Sequence, residues 1–65
     1  MFVRANDVKD ILKVSKSMGY KVIRTLNTEL EDKGFLTVQG RIPIEYLCER
    51  YMLDEEEVKA FMNKK

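Results

Sequence analysis

The chain has no histidine, no tryptophan, one cysteine (Cys48) and one proline (Pro43) in 65 residues. Without histidine there is no side chain that ordinarily changes charge near neutrality to serve as a general base. A lone thiol excludes an internal disulfide and leaves a structural zinc site three ligands short, so the expected compartment is the reducing cytoplasm. Nowhere is there a run of about 18 apolar residues, and residues 1–10 hold no apolar signal-like core, so neither a membrane span nor a signal peptide is expected. A phosphate-binding Gly-rich loop, a Gly-x-Ser-x-Gly elbow and a pair of carboxylates facing a cavity are all missing, which argues against an enzyme and against any cofactor or metal. Glu55, Glu56 and Glu57 are consecutive; on a helix they point about 100° apart and cannot converge on one ion. A chain this short buries only about 60% of its unfolded surface and reaches roughly 3–5 kcal/mol of stability. One small domain spanning residues 1–65 is expected, with no deep substrate cavity.

What the sequence does have is charge, 35% of its residues, with a net of only +1. The two signs are unevenly placed. Residues 1–24 carry six basic side chains against two acidic ones, whereas residues 25–65 carry six against nine. A domain polarised in this way can offer a cationic face to a polyanion while its other face stays solvated.

Ala5, Val8, Ile11 and Leu12 share one face of a helix that starts near residues 4–7, with Asn6 or Asp7 at its amino-terminal end. Ser15 has the chemistry of the next N-cap, so residues 13–15 form a turn of about three residues, the length used in helix-turn-helix units. Val14 is expected to point inward. A second helix then runs to about Lys33 with Gly34 past its end. Its apolar face is Met18 or Gly19, Val22, Ile23, Leu26 and Leu30, and its acids Glu29, Glu31 and Asp32 oppose the helix dipole, which confines positive potential to the first turns. Residues 35–38 are β-prone, Gln39-Gly40 suits a two-residue turn, and residues 41–43 return, so a small hairpin is expected there. Pro43 ends that strand or starts the next helix, whose inner face is Ile44, Leu47, Cys48 and Tyr51. Cys48 is a core hydrophobe in this reading. Asp54 with Glu57 forms a capping box and Leu53 with Val58 a hydrophobic staple, opening a last helix over about 55–63. Its stripe of Val58, Phe61 and Met62 either completes the core or packs on a neighbouring subunit.

Taken together, Val8, Ile11, Leu12 and Val14-Ser15, then Tyr20, Ile23-Arg24, Leu26-Asn27 and Leu30, then Lys33-Gly34-Phe35-Leu36-Thr37 and Gly40-Arg41-Ile42-Pro43 with Tyr46, resemble a known pattern. It is that of the small winged helix-turn-helix proteins of the excisionase and MerR-like type from Gram-positive phages and mobile elements. The likeness covers about residues 5–51. It implies a mainly α fold with a small β-hairpin, in which the helix from Ser15 enters the major groove of DNA and the hairpin is a wing on backbone or minor groove. Two residues depart from the pattern: Lys13 stands where Gly is common, and Gly19 where Ala is usual. A left-handed Lys13 would cost on the order of 1 kcal/mol, and Gly19 gives up about 1 kcal/mol of helix propensity while permitting closer packing.

The residues expected to bind DNA are Ser15, Lys16, Ser17, Tyr20, Lys21, Arg24 and Thr28 on the helix and Arg41 on the hairpin. Arginine can read guanine bidentately, lysine pairs phosphate or guanine, and the hydroxyls hold phosphate. Ser15 also opens a helix end suited to phosphate, and Arg41 has the reach of a wing arginine. Lys59, Lys64 and Lys65 fall on the far helix, away from this stripe. The function read here is sequence-specific double-stranded DNA binding, as an excisionase-like factor or a transcriptional regulator. Its partners would be DNA, with a second copy of the chain or a recombinase or regulator beside it. The competing class is a helical protein-interaction module without nucleic acid.

Overall fold

A computed structural model describes residues 1–64. Four helices surround one small core, and a two-stranded antiparallel sheet closes it, so the architecture is mainly α with a small β element, consistent with a small winged helix. In chain order the elements are β1 (Phe2–Arg4), α1 (Ala5–Leu12), α2 (Lys16–Asp32), β2 (Arg41–Pro43), α3 (Ile44–Tyr51) and α4 (Glu55–Asn63). Val3, Val8, Ile42, Ile44 and Leu47 are sealed from solvent, and Ala5, Val22, Ile23, Leu26, Leu30, Cys48 and Val58 complete the core with Tyr46.

The ends of α1 and α2 follow from named groups. At the start of α1 the Arg4 N–H donates to Asp7 Oδ2 at 3.0 Å. Its other end is Lys13 at φ 57°, ψ 49°, the left-handed conformation that a side chain resists. Ser15 caps α2, its Oγ accepting from the Met18 N–H at 3.2 Å. At the far end Gly34 takes φ 90°, its N–H donates to the Glu31 carbonyl, and the Phe35 N–H donates to the Leu30 carbonyl. These two bonds form a Schellman motif, which satisfies carbonyls that would otherwise end the helix unpaired.

α1 and α2 pack closely because Gly19 faces the first turn of α1. A Cβ built at this position would lie 2.7 Å from the Ala5 carbonyl oxygen, so the absent side chain is what permits the approach. The departure from alanine at this position is therefore a packing requirement of this chain.

The sheet differs from the expected hairpin in its partner strand. β2 pairs with β1 at the chain's amino terminus, Val3 opposite Ile42 and Arg4 opposite Arg41. Of residues 35–38 only Val38 joins, through an isolated bridge to Arg41. Extending that register would set Leu36 opposite Pro43, which has no N–H to give, and the Phe35 N–H is already engaged by the Leu30 carbonyl. The Gln39-Gly40 turn is present, with the Arg41 N–H on the Val38 carbonyl at 3.1 Å and Gly40 at φ 80°. Pro43 both ends β2 and precedes the first turn of α3.

Two further differences concern α3 and α4. Tyr51 is exposed and Tyr46 takes the buried place, because its hydroxyl finds a partner on α2. In α4 Asp54 accepts from the Glu57 N–H at 3.2 Å. Val58 enters the core, Met62 and Leu53 pack against it, and Phe61 stays largely exposed. Val14 is half-buried, and Cys48 is buried as expected. Burial raises the Cys48 thiol pKa, with the nearby Glu55 carboxylate adding to it.

Candidate nucleic-acid interface

α2 is amphipathic in a way that fixes what its outer face offers. Gly19, Val22, Ile23, Leu26 and Leu30 occupy the buried side, and at 100° per residue Lys16, Tyr20, Arg24 and Thr28 run as one ridge that leads from its flank to the solvent side. Ser17 and Lys21 lie next to that ridge. All of these are exposed, as are Ser15 and Arg41. Two hydroxyls of the group have internal roles. Ser15 Oγ accepts from Met18 and keeps its own proton to donate, while the Thr28 hydroxyl donates to the Arg24 carbonyl at 3.0 Å and retains only acceptor capacity.

The turn at residues 38–41 stands beside this ridge and encloses with it a groove of about 560 Å³, lined by Tyr20, Arg24, Asn27, Gln39 and Gly40 among others. Asn27 holds the turn in place: its Nδ2 donates to the Val38 carbonyl at 3.1 Å. Among the described residues the buried Asn27 Oδ1 has no hydrogen-bond partner. Thr37 Oγ1 donates to Glu31 Oε2 at 2.7 Å, a second tie between the loop and α2. Arg41 thus projects from a turn whose loop is tied twice to the helix that carries the other basic residues. Asn27, half-buried beside the ridge, has no place among the expected binding residues; its position between Arg24 and Thr28 in sequence was the available signal.

Four of the basic side chains have partners within the fold. Away from the ridge, Arg50 pairs with Glu29 at 2.7 Å, Lys59 with Glu55 at 2.8 Å and Lys9 with Asp10 at 3.3 Å. Lys33 lies over the Tyr46 ring, 4.9 Å from its centre. Among the described residues, Lys16, Lys21, Arg24 and Arg41 enter no ion pair, and neither do Arg4, Lys13 and Lys64. Lys59 lies in α4 and Lys64 just past its end, while Lys65 falls outside the described residues.

The acids at the end of α2 have a use that the dipole argument did not give them. Glu29 accepts from Arg50 Nε and Nη2 at 2.7 and 3.0 Å and from the Tyr46 hydroxyl at 2.7 Å, which ties α2 to α3. The hydrogen bonds from Arg50 and then from Tyr46 hold its carboxyl down to about 2. Glu29 is a tertiary anchor, and the reading of these acids as serving only to confine potential is corrected for it. Glu31, by contrast, lines the groove beside Tyr20, Arg24 and Thr28. No group of three or more His, Cys, Asp or Glu side chains among the described residues is placed to hold a metal, and no helix there is long and apolar enough to cross a membrane.

An exposed basic helix, begun by a short turn and flanked by a tethered β-turn, is an arrangement consistent with a small winged helix. Over 41 residues the chain is 37% identical to the ICEBs1 excisionase of Bacillus subtilis (strain 168), an alignment covering 63% of this chain and 64% of that protein. The matched segment therefore spans slightly less than two thirds of the relative's length. No family model matches the chain, and no solved structure matches it.

Proposed function

We propose that the chain binds double-stranded DNA in a sequence-specific manner, with the amino-terminal half of α2 in the major groove and the 38–41 turn acting as a wing. The observation that carries this reading is the cluster of exposed cations without an ion-pair partner along α2 and the adjoining turn. Lys9, Lys33, Arg50 and Lys59 have carboxylate or aromatic partners, whereas Lys16, Lys21, Arg24 and Arg41, like Arg4, Lys13 and Lys64, have no ion-pair partner among the described residues. Exposed cations gathered on one side of a helix start are a footprint for phosphate, and an arginine among them can read guanine. Likeness to a protein named an excisionase supports an excision-related DNA role over a general regulator. In this reading Ser15 and Ser17 contact phosphate at the helix start, Lys16 and Lys21 phosphate or base edges, Tyr20 and Arg24 base edges and Arg41 the backbone or minor groove. Thr28 accepts rather than donates.

Residues 1–65 act as one DNA-binding domain in this account, working within the cytoplasm and without catalysis or cofactor. One recognition helix covers only a few base pairs, so tight specific binding at physiological salt requires a second contact, from another copy or a partner recombinase. The test is footprinting on DNA flanking the chain's own gene, followed by titration of two variants on the protected site. Arg24→Ala is expected to cost about 1–3 kcal/mol and to relax preference at one base step, whereas Lys59→Ala leaves binding unchanged. Equal losses from both would remove α2 as the recognition helix. Absence of any footprint would favour a protein-interaction module.

A further inference from the structure

The sheet brings together two residues that neither its packing nor its stability calls for. In the β1–β2 register Arg4 stands directly opposite Arg41. Val3 and Ile42, one residue away on each strand, point into the core and are sealed from solvent, so Arg4 and Arg41 project together from the outer face of the sheet. Opposed residues of an antiparallel pair have Cβ atoms about 4.5–5.5 Å apart, and like charges at this spacing repel. Among the described residues no carboxylate pairs with either guanidinium. Arg4 is not needed there for capping, since its contribution to the start of α1 comes from its backbone N–H, bonded to Asp7. A two-strand sheet could place any polar residue at either position, yet both carry the side chain whose planar fork matches phosphate oxygens.

We infer that Arg4 and Arg41 form a clamp for a single DNA phosphate, which extends the interface from the 38–41 turn onto the amino-terminal strand. Arg41 directly follows Gln39 and Gly40, which line the groove beside Tyr20 and Arg24, so a backbone that lies along α2 continues toward the sheet. One phosphate between the two guanidiniums relieves their repulsion and takes a hydrogen bond from each. The same contact carries no base information. This inference rests on the DNA-binding reading and adds to it a residue, Arg4, that the helix and turn do not predict.

The experiment compares Arg4→Gln, Arg41→Gln, the double variant and Arg24→Ala in the full chain, measuring stability without DNA and affinity for the footprinted site across a salt series. Arg4→Gln should raise the melting temperature at low salt, with the gain shrinking as salt screens the repulsion it removes. The same variant should bind roughly tenfold more weakly, on related and unrelated sequences alike, with a salt slope shallower by about one. Sharing of one phosphate makes the double variant's loss less than the sum of the two single losses. Fully additive losses would mean two separate phosphates and overturn the clamp. Wild-type affinity and slope in Arg4→Gln, with Arg24→Ala impaired, would overturn the clamp and leave α2 as the DNA-contacting helix. Salt-independent or absent binding by the wild-type chain would remove the DNA-binding reading and the clamp with it.

Discussion

Replacing Gly19 by alanine should destabilise this protein although alanine is the better helix former. Gly19 lies four residues into α2, where alanine is worth about 1 kcal/mol over glycine. Against that stands the new Cβ, 2.7 Å from the Ala5 carbonyl oxygen and 3.4 Å from its carbon. Ordinary contact would require the backbone at Ala5 to retreat by roughly half an ångström. Ala5 is the first residue of α1 and follows directly on β1, whose Val3 is sealed in the core opposite Ile42. The retreat therefore strains the sheet as well as the helix pair, and overpacking of this kind costs about 1–3 kcal/mol. The net loss is about 1 kcal/mol, a fall of about 4–8 °C in melting temperature for a domain of this size. Thermal and urea melts should be compared with Thr25→Ala, an exposed position of α2 where the propensity gain of up to about 0.7 kcal/mol comes without a clash. If Gly19→Ala stabilises as Thr25→Ala does, the close approach of α1 to α2 is wrong.

Other consequences can be checked alongside it. Lys13 sits at φ 57°, so Lys13→Gly should stabilise by about 0.5–1 kcal/mol after allowing for the freer unfolded chain, seen as a higher melting temperature; an unchanged or lower value would contradict the left-handed cap. Glu29 is held down to about 2 by Arg50 and Tyr46, so its contribution to stability is complete above its ordinary value of 4.5 and is lost as pH falls toward 2. The difference in melting temperature between wild type and Glu29→Gln should accordingly be constant above about pH 5 and shrink below it; a constant difference down to pH 2 would separate Glu29 from Arg50. Asn27→Ala removes the bond to the Val38 carbonyl and should speed exchange of the Arg41 amide proton while leaving overall stability within about 1 kcal/mol. Unchanged exchange would show that the turn is held by other contacts.

The parts of this fold that were legible in the sequence are those whose signal is local. Ser15 and Gly34 mark the two ends of α2 because a side-chain acceptor is needed at one and a positive φ at the other. The inner face of that helix follows from period 3.6, and Asp54, Glu57, Leu53 and Val58 announce α4 in the same way. β1 was not legible: three residues give no period, and its partner lies 39 positions away in the Val3–Ile42 pair. Residues 35–38 carry β propensity but lack a donor opposite Leu36, a consequence of Pro43 that appears only once the register is known. The tie of Glu29 to Tyr46 and Arg50 joins residues 17 and 21 positions apart, and no sequence pattern pairs them. Of the expected site, the ridge on α2 was readable from spacing and charge. What spacing could not supply was the hold of Asn27 on the turn, or the placing of Arg4 beside Arg41.

The central claim, that the unpaired cations of α2 and the adjoining turn meet DNA phosphates, is tested most directly by the salt dependence of wild-type affinity for the footprinted duplex. Roughly four to six phosphate contacts give a plot of log affinity against log salt with a slope of about −4 to −5. Arg41→Ala should make that slope shallower by about one, Arg24→Ala should chiefly relax base preference, and Lys59→Ala should leave the slope unchanged. A slope near zero, or one that Lys59→Ala alters as much as Arg41→Ala does, would contradict the account.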